Sequence, residues 1–332
     1  MNEFVMYVGL PGSGKTERAR KDQVIYTQEN FNVVYLSSDD IREELYGSAE
    51  VQEAPHKVFE LMLHRAQAAL KEDNTIVLYD ATNLSSKRRI NILKQLRQSH
   101  LDLKCTVNVV LATLENCVYR NFKRERKVPF SVIMKMLKQF QCPHDFEGWD
   151  YINLVYTDWD EYIDLMTYVD AARGFDQQCP SHLEDLWEHT EMTLEEYKKQ
   201  FMRPYYTPNV APIIQWALLY HDFGKLYTQT SKNLKGEEKL FKRGETYLPQ
   251  MHYYGHDCAS SYLWLISGSA HSLLGKDRGD DIIEIANIIQ YHMERIKRDN
   301  VGYARFTAQL PNSLIEEIEI VNMCDNAGRV PV

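Results

Sequence analysis

No stretch of this 332-residue chain approaches the ~18 consecutive apolar residues that a membrane-spanning helix needs. The longest apolar run near the start, Phe4–Leu10, leads into a glycine-rich loop rather than a cleavage site, so it reads as a buried strand and not as a signal peptide. Cysteine is sparse: six residues, Cys105, Cys117, Cys142, Cys179, Cys258 and Cys324, with no Cys-x-x-Cys pair. That scatter fits neither a zinc knuckle nor a disulfide framework, and it leads us to expect a reduced, cytoplasmic setting. An excess of positive charge is also missing. The net charge of −9 argues against a nonspecific nucleic-acid coat, although a local basic groove suffices to bind phosphates. Internal repeats, low-complexity tracts and a Gly/Ser/Pro-rich linker are absent as well.

What is present divides the chain in two. Apolar runs of strand length lie at Phe4–Val8, Val33–Leu36, Thr75–Tyr79, Val107–Leu111 and Tyr151–Val155, with helical patterns between them at Val58–Leu70 and Ile90–Leu96. Such alternation predicts an α/β domain with a parallel sheet flanked by helices. From about Glu161 the strand signals vanish, and long helical patterns follow, punctuated by Pro180, Pro204, Pro208, Gly236, Gly244, Gly255 and Gly275. We therefore expect an α/β domain over 1–158 and an all-α domain over 159–332, with the boundary near Thr157–Glu161.

Gly9 to Thr16 reads Gly-Leu-Pro-Gly-Ser-Gly-Lys-Thr, directly after the first expected strand and before a helix. Gly-x-x-x-x-Gly-Lys-Thr in that setting is a phosphate-binding loop: its glycines let backbone N–H groups turn towards phosphates, and the helix start adds positive potential. Lys15 is expected to reach the β- and γ-phosphates of an NTP, and Thr16 to hold Mg²⁺. Asp39 follows the second strand, in the crevice where open α/β sheets bind ligands, and could take a proton from an attacking hydroxyl. Asp40 competes for that role, and one of the two is expected merely to cap the following helix. Arg42 stands close enough to clamp an acceptor phosphate. Asp80 ends the third strand and could hold the metal's water shell, while Asn83 could cap the next helix or touch substrate. Two basic stretches follow. Lys87 to Arg97 is as compatible with a solvated helix face as with a groove, whereas Arg120 to Lys127 holds five cations against Glu125 alone and points to function.

These segments resemble the bacteriophage polynucleotide 5′-hydroxyl kinases over roughly the first 155 residues. The likeness lies in Gly9–Thr16, in Ser38-Asp39-Asp40-Ile41-Arg42, in Thr82-Asn83-Leu84 with Arg88-Arg89, and in Arg120 to Arg124 followed by Val128-Pro129. It implies Asp39 as general base for a 5′-hydroxyl and Arg42 as the acceptor clamp. It also implies Arg124 as a lid arginine on the transferring phosphates. Gly9, Gly12, Ser13 and Gly14 then contact the nucleotide together with Lys15, Thr16, Asp80 and Arg120.

Seven of the eleven histidines lie in the second half. His221-Asp222 closes the apolar pattern Ile213–Tyr220 and runs into Gly224-Lys225. At helical spacing His221 shares a face with Ile214, Ala217 and Leu218. His189 lies on the face of Leu186 and Met192, His292 follows Ile285, Ile288 and Ile289, and Asp325 follows Ile318 and Val321. A core histidine explains any one of these, but an aspartate at the end of an apolar stripe is costly unless paired or bound to metal. His182 and His252 lie near these segments without a role, and Cys258 and Cys324 are expected to be small buried side chains.

With His256 of Tyr253-Tyr-Gly-His256-Asp257 added, the order His189, His221-Asp222, His256, His292, Asp325 resembles the HD phosphohydrolase superfamily, as do Gly174-Phe-Asp-Gln177 and Trp187-Glu-His-Thr190. The resemblance implies one metal on His189, His221, Asp222 and Asp325. A second metal would then share Asp222 and be held by His256 and His292. Lys225 would face the substrate phosphate. Imidazole and carboxylate ligands suit several divalent transition metals.

Together the two halves lead to the expectation of a nucleic-acid end-repair enzyme. It would phosphorylate 5′-hydroxyl ends with ATP or another NTP and Mg²⁺, and remove 3′ or 2′,3′-cyclic phosphates, with RNA the expected substrate and a ligase acting downstream. A nucleotide-metabolism enzyme, or a signalling HD hydrolase with a P-loop switch, remains as an alternative.

Overall fold

The computed structural model describes residues 2–51, 54–158, 161–201 and 211–330. Pro204, Pro208 and residues 159–160 at the expected boundary lie outside the described residues. Within them the chain forms two compact units, Met1–Met136 with Pro143–Glu161, and Leu137–Cys142 with Tyr162–Val332.

The first unit alternates as the apolar runs predict: β1 Glu3–Val8, α1 Lys15–Gln28, β2 Asn32–Ser37, α2 Ser38–Tyr46, α3 Pro55–Ala69, β3 Thr75–Asp80, α4 Ser86–Ser99, β4 Lys104–Leu111, α5 Leu114–Lys123, α6 Phe130–Leu137 (reaching the segment that joins the second unit) and β5 Tyr151–Tyr156. The five strands form one parallel sheet in the order β2-β3-β1-β4-β5. Every residue of β1 and β3 is buried, which is why both read as unbroken apolar runs rather than alternating ones. Val5 and Tyr7 of β1, Ile76 and Leu78 of β3 and Val110 of β4 pack with Ala19 of α1. Each such aliphatic side chain contributes roughly 1.5–3 kcal/mol on burial. Parallel strands place all their carboxyl ends on one edge, and the Gly9–Thr16 loop, Ser37–Asp39 and Asp80 emerge together there.

The second unit is mainly helical: α7 Leu165–Ala172, α8 Leu186–Phe201, α9 Ala211–Tyr220, the single turn α10 Lys225–Thr228, α11 His256–Leu265, α12 Gly268–Leu274, α13 Gly279–Tyr291, the short α14 Glu294–Lys297, α15 Asn300–Thr307 and α16 Asn312–Ala327. It is not all-α. An antiparallel hairpin of β6 Leu240–Arg243 and β7 Thr246–Pro249 interrupts the helices. Its strands are only four residues each and none of their residues is buried, and its turn uses Gly244 at φ 59°, so they were too short for an apolar period to announce them. All ten residues of α11 are buried, and the Trp264 indole donates to the Ile282 carbonyl of α13 at 2.9 Å. Gly224 makes the corner after His221-Asp222 possible: a Cβ there would lie 2.1 Å from the His256 carbonyl oxygen. Among the described residues, no helix is long and apolar enough to cross a membrane.

Candidate functional site

Each unit gathers its own constellation. In the first, Gly12 has φ 84° and a Cβ on it would lie 2.1 Å from the Cys117 carbonyl oxygen, so only glycine permits the turn. Gly14, at φ 95°, begins α1 without any side-chain cap, which leaves the helix start facing the loop as an anion site. Ser13 Oγ is buried with no hydrogen-bond partner, and the buried Lys15 ammonium donates back to the Leu10 carbonyl at 2.7 Å. Burial lowers the Lys15 pKa to about 8, against the opposing pull of Asp80. The Thr16 hydroxyl donates to Asp80 Oδ2 at 2.8 Å, and the Tyr35 hydroxyl donates to the same oxygen at 2.7 Å. A loop with an unpartnered hydroxyl, a lysine resting on its own backbone and a Thr–Asp pair suits a nucleotide's phosphates and their cation. Beside it a cavity of about 370 Å³ is lined by Gly14, Glu17, Arg18, Lys21, Arg120 and Thr157, among others. Arg120 is fixed there by Asp158 and by Thr157 Oγ1, the latter at 2.8 Å. Thr157 in turn donates to the Ser13 carbonyl at 3.1 Å.

Asp39 lies between two guanidiniums. Arg42 donates to its Oδ1 at 2.7 Å, and Arg126 lies 2.7 Å from its Oδ2. The N-cap of α2 is neither aspartate: Ser37 Oγ accepts from the Asp39 and Asp40 amides. Asp40 is exposed and stands 3.8 Å from Arg20. Arg126, unlike Arg124 two residues earlier, was not singled out from the sequence, because neighbouring cations on one lid look alike without coordinates. The lid itself is stapled by the buried Asn121, whose amide donates to the Val128 carbonyl at 2.8 Å and accepts from the Val128 amide at 2.9 Å. Arg124 begins this stapled loop, close enough to Lys15 for its charge to act on the lysine.

Two further residues have duties different from those expected. Asn83, 1% exposed, caps no helix, since Ser85 holds that position in α4; instead it donates to the Tyr7 carbonyl at 2.8 Å and ties the β3 loop to β1. Arg89 is no part of a basic groove. It is fully buried and makes a two-pronged pair with Glu147, at 2.7 and 2.6 Å, which the Trp149 indole completes at 2.9 Å.

In the second unit the structure brings His189, His221, Asp222 and Asp325 into one buried group, and Asp222, His256 and His292 into another. Five elements deliver them: His189 on α8, His221-Asp222 just beyond α9, His256 opening α11, His292 just beyond α13 and Asp325 on α16. Each of three imidazoles has its Nδ1 within 2.6–2.8 Å of the carbonyl three residues back: His221 on Leu218, His256 on Tyr253 and His292 on Ile289. That bond fixes the proton on Nδ1 and leaves Nε2 as a bare lone pair. The Nε2 atoms of His221, His256 and His292 are buried and have no hydrogen-bond partner. His189 Nδ1 is held by the Gly328 carbonyl at 2.9 Å, which leaves its Nε2 facing Asp325 Oδ1 at 3.1 Å and Asp222 Oδ2 at 3.4 Å. Asp222 Oδ1 lies 3.2 Å from His256 Nε2.

Buried lone pairs facing carboxylate oxygens repel one another unless a proton or a cation stands between them. The imidazole and carboxylate atoms gathered here are of the kind that can hold a metal ion, with Asp222 common to both groups. Burial would raise the Asp222 pKa, but Lys225 and His221 hold it well below the ordinary carboxylate value. Burial lowers His292 to about 3. Lys225 Nζ stands 2.6 Å from Asp222 Oδ2. The two histidines without an assigned role differ: His182 is buried against Glu184 at 2.6 Å and meets the His189 ring edge-on at 4.7 Å, whereas His252 stacks on Tyr254. Cys258 and Cys324 are buried, and none of the six cysteines is in a disulfide.

Residues 4–143 match the family described as the AAA domain. Among curated proteins the chain is similar to an L-seryl-tRNA(Sec) kinase of Methanococcus maripaludis, 26% identical over 153 residues, or 44% of this chain and 56% of that protein. The chain thus spans about half the length of the curated relative it matches. Among solved structures it is similar to Chaetomium thermophilum Kti12 in complex with ADP-AlF3, with 20% identity over 48% of this chain and 91% of that one at a TM-score of 0.40. It is also similar to a fungal RNA kinase, with 17% identity over 46% of this chain and 74% of that one at a TM-score of 0.34. The first unit thus carries a P-loop on a parallel sheet, within the stretch that matches the AAA domain.

Proposed function

We propose that the chain heals nucleic-acid ends, RNA above all, with two activities: ATP-dependent phosphorylation of 5′-hydroxyls in the first unit and removal of 3′ or 2′,3′-cyclic phosphates by an HD-type phosphohydrolase in the second. The observation that carries the proposal is the pair of complementary constellations, an aspartate clasped by two arginines at the P-loop edge and three unpartnered imidazole nitrogens around Asp222. A relative named as a tRNA kinase supports an RNA-borne acceptor for the first.

In the kinase reaction, Asp39 accepts the proton of the 5′-hydroxyl as its oxygen attacks the γ-phosphorus of ATP, with ADP as leaving group. Arg42 and Arg126, already on the two oxygens of Asp39, hold an adjacent acceptor phosphate and keep the carboxylate aimed. Lys15 and Arg124 neutralise charge on the transferring phosphoryl, while Thr16 and Asp80 would hold Mg²⁺. In the hydrolase, His189, His221, Asp222 and Asp325 would hold one divalent transition metal, and Asp222, His256 and His292 a second. Such metals lower the pKa of a water and polarise the phosphoryl oxygens. Lys225 binds the phosphate from the Asp222 side, and the backbone carbonyls of Leu218, Tyr253 and Ile289 keep the imidazoles oriented.

Incubation of a 5′-hydroxyl oligonucleotide with radiolabelled ATP tests the kinase half. Transfer lost in Lys15→Ala and Asp39→Ala is expected; transfer retained in both would overturn it.

A further inference from the structure

Gln177 takes no part in the metal cage, yet it is fully buried and its side chain is half used. Its Oε1 accepts from Lys225 Nζ at 2.7 Å, while its Nε2 has no hydrogen-bond partner. A buried amide N–H₂ left unpaired costs stability, so such a group signals a missing partner. The chain spends effort to hold it there. The Gln177 carbonyl accepts the Tyr253 hydroxyl at 2.6 Å. On its far side Gln178 sits in the left-handed region at φ 43°, rare for a side chain of that kind, with its carbonyl tied to the Met251 amide at 2.8 Å. Asp176, on the near side, is gripped by Arg243 of β6 through contacts of 2.9 and 3.0 Å. The same Tyr253 offers its backbone carbonyl to His256 Nδ1, so one residue fixes both the amide and a metal-type imidazole.

Lys225 therefore stands in a fork, 2.6 Å from Asp222 Oδ2 and 2.7 Å from Gln177 Oε1. A side chain that only neutralised Asp222 would need no second acceptor. An acceptor that only positioned Lys225 would need no free N–H₂.

We propose that Gln177 and Lys225 form an oxyanion site for a phosphate monoester or cyclic phosphodiester, in which Gln177 Nε2 donates to one non-bridging oxygen and Gln177 Oε1 positions the ammonium for another. The proposal rests on the phosphohydrolase reading for its substrate class, while its anion site is testable by itself. A neutral donor at this point suits a phosphate already close to a cation: it adds a directed hydrogen bond without another charge to desolvate.

The test uses full-length protein loaded with Mn²⁺, comparing wild type with Gln177→Met, which keeps the volume, and Gln177→Glu, which keeps an acceptor for Lys225 but replaces the donor with charge. Inorganic phosphate is titrated by calorimetry, metal content is measured, and kcat and KM are determined on a model phosphoester. Gln177→Met is expected to raise the phosphate Kd and the KM about 10-fold, as loss of one hydrogen bond to a charged group implies. Gln177→Glu should raise them further, with metal content unchanged in both. Phosphate binding within twofold of wild type in Gln177→Met, equal loss in both variants together with metal, or no phosphate binding by wild type would each overturn the oxyanion site. If wild type binds phosphate with the expected ranking of variants but hydrolyses no ester, the site stands and the hydrolase reading falls.

Discussion

Arg126 reaches from the lid to within 2.7 Å of Asp39 Oδ2, the carboxylate oxygen opposite the one held by Arg42. Asp39, the proposed base, is thus held from two sides, by α2 and by the loop that Asn121 staples.

Three substitutions should separate these parts. Asp39→Asn keeps the shape but removes the proton acceptor, and 5′-phosphorylation should fall by roughly 10²–10⁴-fold. Arg126→Ala is expected to lower kcat and raise the KM for the oligonucleotide, with the KM for ATP little changed. Arg124→Ala should mainly lower kcat, since it acts on charge that grows during transfer. Steady-state kinetics with both substrates varied distinguishes them, and an Arg126→Ala enzyme of wild-type kcat and KM would remove Arg126 from the acceptor site.

Much of this was legible in the chain. Buried parallel strands announce themselves as apolar runs, and the glycine loop carries its own context, so all five strands and the P-loop stand where the sequence puts them. His221, His292 and Asp325 were singled out because each follows an apolar helical stripe, His189 because it shares a face with Leu186 and Met192, and His256 from the order of these segments. What stayed hidden depends on partners distant in sequence. Arg89 looks like one more cation in a basic run, and only Glu147, 58 residues on, makes it a core residue. Gln177 stands in the Gly174-Phe-Asp-Gln177 wording without a role until Lys225, 48 residues later, lies on it. The hairpin Leu240–Pro249 had neither length nor period to mark it.

The Arg89–Glu147 pair gives a stability prediction. Arg89→Met leaves a buried carboxylate unpaired and should destabilise the first unit by about 3–5 kcal/mol. A double variant with Glu147→Leu should recover much of that loss. Denaturant titration measures both, and a single variant within 1 kcal/mol of wild type, on the order of a surface pair, would show that the pair is incidental.

Metal retention should follow the ligand groups. His221→Ala and Asp325→Ala belong to one group and His292→Ala to the other. Elemental analysis of purified protein should therefore show at least one equivalent lost in each variant, with kinase activity intact. Equal metal content in wild type and all three variants would contradict the assignment.

A pH effect is expected from α16. Burial, and then the nearby Glu284, raise the Glu317 pKa to about 8. A carboxyl whose folded pKa lies above its unfolded value favours the fold while protonated. That contribution is complete below the unfolded value and is lost as pH rises through about 8. The Tm of the protein should accordingly fall between pH 5 and 9, and Glu317→Gln should flatten that fall. A Tm profile identical to wild type in Glu317→Gln would sink the linkage.

The central claim is that both ends of one nucleic acid are remade by this chain. The most direct measurement is mass spectrometry of an RNA oligonucleotide bearing a 5′-hydroxyl and a 2′,3′-cyclic phosphate, after incubation with the protein, ATP, Mg²⁺ and Mn²⁺. The account predicts a product with a 5′-phosphate and a free 3′ end, with Lys15→Ala blocking only the first change and His221→Ala only the second. Termini unchanged at both ends, or both changes lost in either variant, would contradict it.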